Sequence, residues 1–206
     1  NREMGINYCI QHNYDFLIFG DSDDYFQTNR IEISLKYLIE YNCDIVVNDL
    51  TLFNTHIIED KYISNRFENN VEIEFDFIKN KNIFGLSNTA IRVKSLEEKI
   101  DIPSKIQVVD WYLFSFLLLK NKKAKFTNET ISFYRQYNNN LVGLKKLSLE
   151  AYKKGIEVKM IHYSSLLNIF DIEYFKRQLS RLSNIDNNKL KNINNRIEKP
   201  LWWELI

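Results

Sequence analysis

Cysteine is scarce in this chain: Cys9 and Cys43 are its two cysteines among 206 residues. They are far apart and form no C-x-x-C pair, which argues against a disulfide framework and against a zinc site. Both are expected to be buried and reduced, in keeping with a cytoplasmic location. Histidine is equally sparse, and the scattered His12, His56 and His162 read as surface or satisfied structural residues. Two prolines and five glycines are too few for a flexible linker. Long apolar runs are missing too. The stretch from Leu113 to Leu119 is interrupted by Ser115 and bounded by Asp110 and Lys120, well short of the ~20 residues of a membrane span, so it reads as a core helix. The opening NREMGINYCIQHNYD lacks the basic-then-apolar order of a secretory signal and starts without Met, so an internal fragment is expected. Charge of one sign is absent as well. With 28 basic and 27 acidic residues the net charge is +1, which offers no global field for nucleic acid. Phosphate recognition therefore has to be local.

What is present is an ordinary globular composition, 45% apolar, enough for one domain with an appended subdomain. Residues 3–12 carry a helix-like pattern at Met4, Ile6, Cys9 and Ile10, ahead of a strand at Phe16, Leu17, Ile18 and Phe19. Asn29 with Glu32 resembles a capping box for a helix whose apolar stripe is Ile31, Leu35, Leu38 and Ile39. A strand follows at 44–48, mixed β character at 50–63, and a short strand at 88–93. A strongly apolar helix at 109–121 leads to two short strands at 124–127 and 131–135, then the loop RQYNNNLVG. Residues 144–199 change to Lys-, Leu-, Ile- and Asn-rich helical spacing, broken near 168–171 and 184–187, which predicts three helices. This alternation indicates an α/β class, in which ligands bind at the carboxyl ends of strands.

One such strand ends in FLIFGDSDDYF, residues 16–26. Three carboxylates in four positions repel one another and their titrations couple, so a cation is expected beside Asp21, Asp23 and Asp24. A turn or helix cap would explain Asp and Ser equally well, but Asn29 and Glu32 already occupy the capping role. Mg²⁺ or Mn²⁺, which takes one or two carboxylates and completes its shell with water and phosphate, matches DSDD. Two enzyme classes place D-x-D after an apolar strand. Haloacid-dehalogenase-like phosphatases are the weaker match, because Tyr-Phe follows here and no later Gly-Asp-x-x-x-Asp pair is found.

Three segments, in order, resemble the inverting nucleotide-sugar glycosyltransferases of family 2. REMGINYCIQHNYDFLIFGDSDDYF resembles the family's helix, strand and D-x-D-D. VVDWYLFSFLLL resembles its acidic motif at the head of an apolar helix, although Val109 stands where Glu is usual. FYRQYNNNLVG resembles the subgroup pattern Tyr-Arg-Gln-His followed by Asn and Gly, with Tyr134, Arg135, Gln136, Asn140 and Gly143 matching and Tyr137 in place of His. The resemblance implies a GT-A fold, a Rossmann-like mixed sheet flanked by helices, that lacks its first strands. Residues 1–143 would be the later part of the GT-A domain and 144–206 a helical extension.

The activity implied is inverting transfer of a sugar from a nucleoside diphosphate sugar donor to a glycan or lipid-linked acceptor. The implied roles are Asp110 as catalytic base, Asp23 as ligand of Mn²⁺ or Mg²⁺ with Asp24 assisting, Asp21 on ribose or metal, Arg135 on diphosphate, and Asn88 facing a sugar. Each has a plainer alternative: a favourable helix-start charge for Asp110, a surface cation for Arg135, and a turn residue for Asn88. A phenol at Tyr137 ligates Mg²⁺ or Mn²⁺ poorly. Lys145, Lys146, Lys153, Lys154 and Lys159, with Trp202 and Trp203, suggest either peripheral association at the inner membrane face or a solvated helix with packed aromatics. A non-catalytic scaffold or interaction module that keeps the GT-A architecture is the alternative function.

Overall fold

A computed structural model describes residues 2–96, 99–137, 147–166, 180 and 185–206. Its elements are α1 (Arg2–Gln11), β1 (Phe16–Ile18), β2 (Tyr25–Phe26), α2 (Arg30–Ile39), β3 (Ile45–Phe53), β4 (Ile57–Glu59), β5 (Glu72–Ile73), α3 (Phe75–Ile78), β6 (Thr89–Arg92), α4 (Val109–Leu119), β7 (Ala124–Arg135), α5 (Leu149–Leu166) and α6 (Asn187–Asn194). The strands form one mixed sheet in the order β1-β6-β3-β7-β2, with β4 added to β3 and β5 to β7. Strand β6 is antiparallel to both β1 and β3, while β3 and β7 are parallel. Strands β1, β3 and β7 therefore share one direction, and their carboxyl ends share one edge of the sheet.

The central strand is β3, IVVNDLTLF, whose nine residues are all buried. Continuous β-branched and apolar sequence of this kind is what a strand covered on both faces requires. Its polar pair Asn48 and Asp49 sits where the register to β7 slips from Asn48↔Thr127 to Asp49↔Ile131. A slip of this kind changes which side chains face each way. Before it, Ile45 and Val47 join the main core; after it, Leu50 and Leu52 do. The displaced residues of β7 are used as well: Glu129 accepts from Lys36 Nζ at 2.9 Å, Tyr37 Oη at 2.8 Å and Asn69 Nδ2 at 3.0 Å. The two strands expected at 124–127 and 131–135 are thus one bulged strand.

Other expectations change in detail. Asn29 precedes α2 without a side-chain cap; it spends its amide on Glu129 O and the Thr130 hydroxyl instead. The buried face of α2 is Arg30, Ser34, Tyr37 and Leu38, leaving Ile31 and Ile39 exposed. Helix α2 covers one side of the sheet through Tyr37, Leu38, Cys43, Val46 and Ala90, and Cys9 is only partly buried.

On the other side α4 is buried almost all round, and α5 packs on it through Tyr152, Ile156, Tyr163 and Leu166 with Tyr112. Of the three helices expected at 144–199, α5 and α6 are seen; residues 138–146, 167–179 and 181–184, with Asn140, Gly143, Lys145 and Lys146, lie outside the described residues. Two membrane expectations are corrected by packing. Trp202 and Trp203 belong to the main core. Lys159 is buried, its Nζ donating to Asn80 O at 2.6 Å and Ile206 O at 2.5 Å. His162 is buried as well, stacked on Trp111 at 4.1 Å, and neither ring nitrogen has a partner among the described residues. No described helix is long and apolar enough to cross a membrane.

Gly155 marks where the chain's last residues meet α5, since a Cβ there would overlap Ile206 Cδ1. Alanine would gain about 1 kcal/mol of helix propensity, but overpacking costs about 1–3 kcal/mol. Gly155→Ala is expected to lower the melting temperature, and Gly155→Ala with Ile206→Ala to recover it. Thermal denaturation of the two variants checks this.

Candidate active site

The loop between β1 and β2 lies at the sheet's carboxyl edge, and hydrogen bonds from other segments shape it. Asp21 N donates to Ser87 Oγ at 3.1 Å, and Asp24 N closes a turn on Asp21 O at 3.2 Å. The end of β7 grips the loop twice: Arg135 N donates to Asp24 Oδ1 at 2.8 Å, and Arg135 Nε donates to Asp23 O at 3.0 Å. Gly20 keeps the entry narrow, because a Cβ there would stand 3.1 Å from Phe26 Cζ.

Arginines lie near these acids. Arg30, only 4% exposed, donates from Nη2 to Phe19 O at 2.6 Å and from Nε to Asn48 Oδ1 at 3.4 Å, with its guanidinium over Phe26. Burial pulls it down to about 10, against the opposing field of Asp24. Arg2 pairs with Asp21 at 3.4 Å on the open side. Asp24 is held above the ordinary carboxylate value, mainly by burial; the Arg135 amide and the Ser87 hydroxyl oppose the rise, and Asp23 and Asp21 add to it. Its Oδ2 is buried with no partner among the described residues.

Asp110 stands in the first turn of α4, its Oδ1 accepting from Trp111 N at 2.7 Å. Trp111 is fixed by its indole N–H to Ile78 O at 2.8 Å. Burial pushes Asp110 up to about 6; the Trp111 amide and Arg2 restrain it, and Asp21 adds to the rise. The Tyr134 phenol is pushed up to about 12 by burial and then by Asp110, Asp24, Asp21 and Asp23 in turn. The structure thus brings Asp21, Asp23, Asp24, Asp110 and Arg135 to one end of the sheet.

Asn88 is placed differently. It is fully buried, and its amide donates to Asn48 O at 2.9 Å and Ile83 O at 3.1 Å and accepts from Gly85 N at 2.7 Å. With all of that capacity spent on backbone it shapes the turn and offers nothing to a sugar. Its neighbour Ser87 is the residue that reaches the loop. Ser87, Arg30, Arg2 and Tyr134 were not assigned roles from sequence. Arg30 was visible only as the first residue of a helix, and Ser87 only as the neighbour of Asn88. Tyr137 is exposed, and desolvation and then the charge of Asp23 hold its phenol above the ordinary value, so the residue in place of the family His lies near the acidic loop.

No group of three or more metal-ligating side chains converges among the described residues. A cation that shares its shell with a diphosphate requires only one or two carboxylates. The exposed Asp23 and the unpartnered Oδ2 of Asp24 fit that requirement.

No family model matches the chain. It is 20% identical over 182 residues to the dTDP-rhamnosyl transferase RfbG of Shigella flexneri, an alignment of 84% of this chain with 56% of that protein. The structure of S. aureus TarS 1–349 in complex with UDP-GlcNAc matches with a TM-score of 0.53 and 16% identity, over 84% of this chain and 49% of that one. This chain has a GT-A-like glycosyltransferase fold. A second S. aureus TarS structure matches with a TM-score of 0.53 and 16% identity over 89% of this chain and 31% of that one. The chain spans about half the length of RfbG and of TarS 1–349. The fold expected from the three sequence motifs is thereby borne out.

Asp110 also makes a stability prediction. Between the ordinary value near 3.8 and about 6 the folded chain holds a proton that the unfolded chain has released, so this group lowers stability as pH rises through that window. Asp110→Asn is expected to melt higher than the parent at pH 8, with the difference shrinking as pH falls below about 6 and vanishing near pH 4. Melting curves across that range check it.

Proposed function

We propose that this chain forms part of a glycosyltransferase that moves a sugar from a nucleoside diphosphate donor to a glycan or lipid-linked acceptor with inversion. One observation carries the reading: the end of β7 holds the acidic loop through Arg135, which bonds Asp24 Oδ1 and Asp23 O, while Asp110, remote in sequence, heads the helix packed on the same sheet. The identity of the dTDP-rhamnosyl transferase RfbG and the UDP-GlcNAc complex of TarS support the donor class.

The roles follow from placement. Asp110 takes the proton of the acceptor hydroxyl as that oxygen attacks the anomeric carbon from the face opposite the leaving diphosphate. Its raised value, about 6, leaves it ionised at neutral pH yet a stronger base than an ordinary carboxylate. Asp23, with Asp24, would hold Mn²⁺ or Mg²⁺, and Asp21 meets the ribose or the same ion. Such an ion, when bound, neutralises charge on the departing diphosphate. Arg135 keeps Nη1 and Nη2 free of partners among the described residues, and its fork suits two phosphate oxygens.

Calorimetric titration of UDP and dTDP, with and without Mn²⁺, tests the donor site. Metal-dependent binding is expected in the parent chain and should be lost in Asp23→Asn; a folded chain that binds neither nucleotide would favour a scaffold role. For the base, transfer is expected to fall at least 100-fold in Asp110→Asn and, in the parent, to decline as pH drops below about 6. A pH-rate profile in which Asp110→Asn keeps full activity removes Asp110 from the mechanism.

A further inference from the structure

Helix α4 carries Asp110 at its head, and a cavity opens at its other end. Lys120, which caps α4, follows Asp110 at a distance of about 15 Å along the helix, at ~1.5 Å per residue. The cavity has a volume of about 230 Å³. One wall is a face of α4, where Tyr112 lies one turn from Phe116 and Leu113 one turn from Leu117. Leu96 and Ile100 complete the apolar lining. Leu96, Ile100, Leu113 and Leu117 belong to the main core, Tyr112 belongs to the cluster built on α5, and Phe116 packs against both. The cavity is therefore a part of the seam between two cores that side chains leave unfilled.

Volume and chemistry narrow the ligand. A dry cavity of about 150 Å³ takes a benzene ring, and drug-sized ligands need about 300 Å³ or more, so this one suits a short apolar segment. The Ser95 hydroxyl at its margin is spent on the Asp44 carboxylate. Charge lies at the rim: Lys99 and Lys120 are exposed, Lys122 is half-buried, and Asp101 is the acidic residue of the described lining. Lys120 Nζ stands 5.8 Å from the centre of the Phe116 ring, which sets an ammonium over the apolar wall. Glu97 and Glu98 lie outside the described residues. An apolar pocket rimmed by ammonium groups complements a chain that ends in a phosphate or carboxylate. A neutral lipid would leave the lysines unused, and a nucleotide would set the polar edge of its base against leucine and isoleucine carbon.

We propose that this cavity binds a single-chain anionic amphiphile, its apolar chain entering the seam beside α4 and its phosphate or carboxylate meeting Lys99 and Lys120. The site stands apart from the acidic loop, so it neither requires the transferase reading nor fails with it. A free amphiphile and a lipid of an anionic bilayer share this chemistry.

Calorimetry with monomeric octyl phosphate tests it, with octanol as the uncharged chain and inorganic phosphate as the head group alone. Octyl phosphate is expected to bind saturably at one site, about 10-fold or more tightly than octanol, and inorganic phosphate not at all. Lys99→Glu with Lys120→Glu, both at exposed positions, is expected to bring octyl phosphate down to the affinity of octanol. Phe116→Trp, which fills the cavity, is expected to abolish binding of both, with melting curves as the control for folding. Absence of saturable octyl phosphate binding overturns the proposal, as does equal affinity for octanol or for inorganic phosphate, or an unchanged affinity in the folded lysine variant. Flotation with phosphatidylglycerol vesicles separates the two sources. Vesicle binding that the lysine variant loses makes the ligand a bilayer lipid, and octyl phosphate binding without vesicle binding makes it a free amphiphile.

Discussion

Three carboxylates in one short loop repel, and the shape of this end of the molecule depends on how that repulsion is met. Two unit charges 4 Å apart repel by about 4 kcal/mol at an effective dielectric of 20, whereas a neutral hydrogen bond contributes about 1 kcal/mol net. Hydrogen bonds from Ser87 and the Arg135 amide alone would not hold the loop. The buried guanidinium of Arg30 closes the gap from below, Arg2 from the open side, and Arg135 from the end of β7. Each comes from a different element, so the loop acquires its shape only when α1, α2 and β7 are in place. The acidic cluster is a tertiary product, although its acids are local in sequence.

The sheet makes that convergence possible through the slip between β3 and β7. Across it the core-facing residues of β3 change from Ile45 and Val47 to Leu50 and Leu52, while Phe126 and Tyr134 of β7 stay on one side. Asn48 and Asp49 stabilise the slip: Asn48 bonds Ser132 at 3.0 Å and receives Arg30, while Asp49 accepts from the amides of Ile63 at 2.9 Å and Ser64 at 3.2 Å. Arg30 thus touches the slip through Asn48 and the acidic loop through Phe19 O. One buried cation couples strand register to site geometry, and this explains why a charged residue is kept where only 4% of it meets solvent.

The sequence made the α/β alternation, the strand-borne DSDD and the helix headed by Asp110 legible, because each rests on local pattern. It also made the GT-A resemblance legible through three short motifs. What it hid were features decided by partners distant in the chain. Asn29 had the residue type and spacing of a cap, yet its amide serves Glu129 and Thr130, about 100 positions on. Asn88 allowed two readings, a sugar contact and a turn residue, and the backbone of Asn48, Ile83 and Gly85 decides for the turn. Lys159 and the paired tryptophans looked like surface anchors because a helical lysine is usually solvated; here Asn80 O and Ile206 O replace water around its ammonium.

The costly features of the molecule cluster where chemistry is proposed. Asp110 is held near 6 by burial, and Asp24 Oδ2 and Gln136 Nε2 are buried without a partner among the described residues. A fold optimised for stability alone would replace each with an apolar or paired group, since an unsatisfied buried polar atom costs about 1–3 kcal/mol. Lys159 makes the contrast: equally buried, it is satisfied by two carbonyls. Its work is structural, tying α5 to the chain's last residue beneath Trp111, whose own amide holds the Asp110 carboxylate. His162, stacked on that same Trp111, and Ser115 are exceptions, buried groups away from the acids without a partner among the described residues. Trp111 therefore joins the part of the core that stabilises to the part that is strained, and the helix carrying Asp110 stays in place because its second residue after Val109 is anchored by α5 and the closing turn around Trp203.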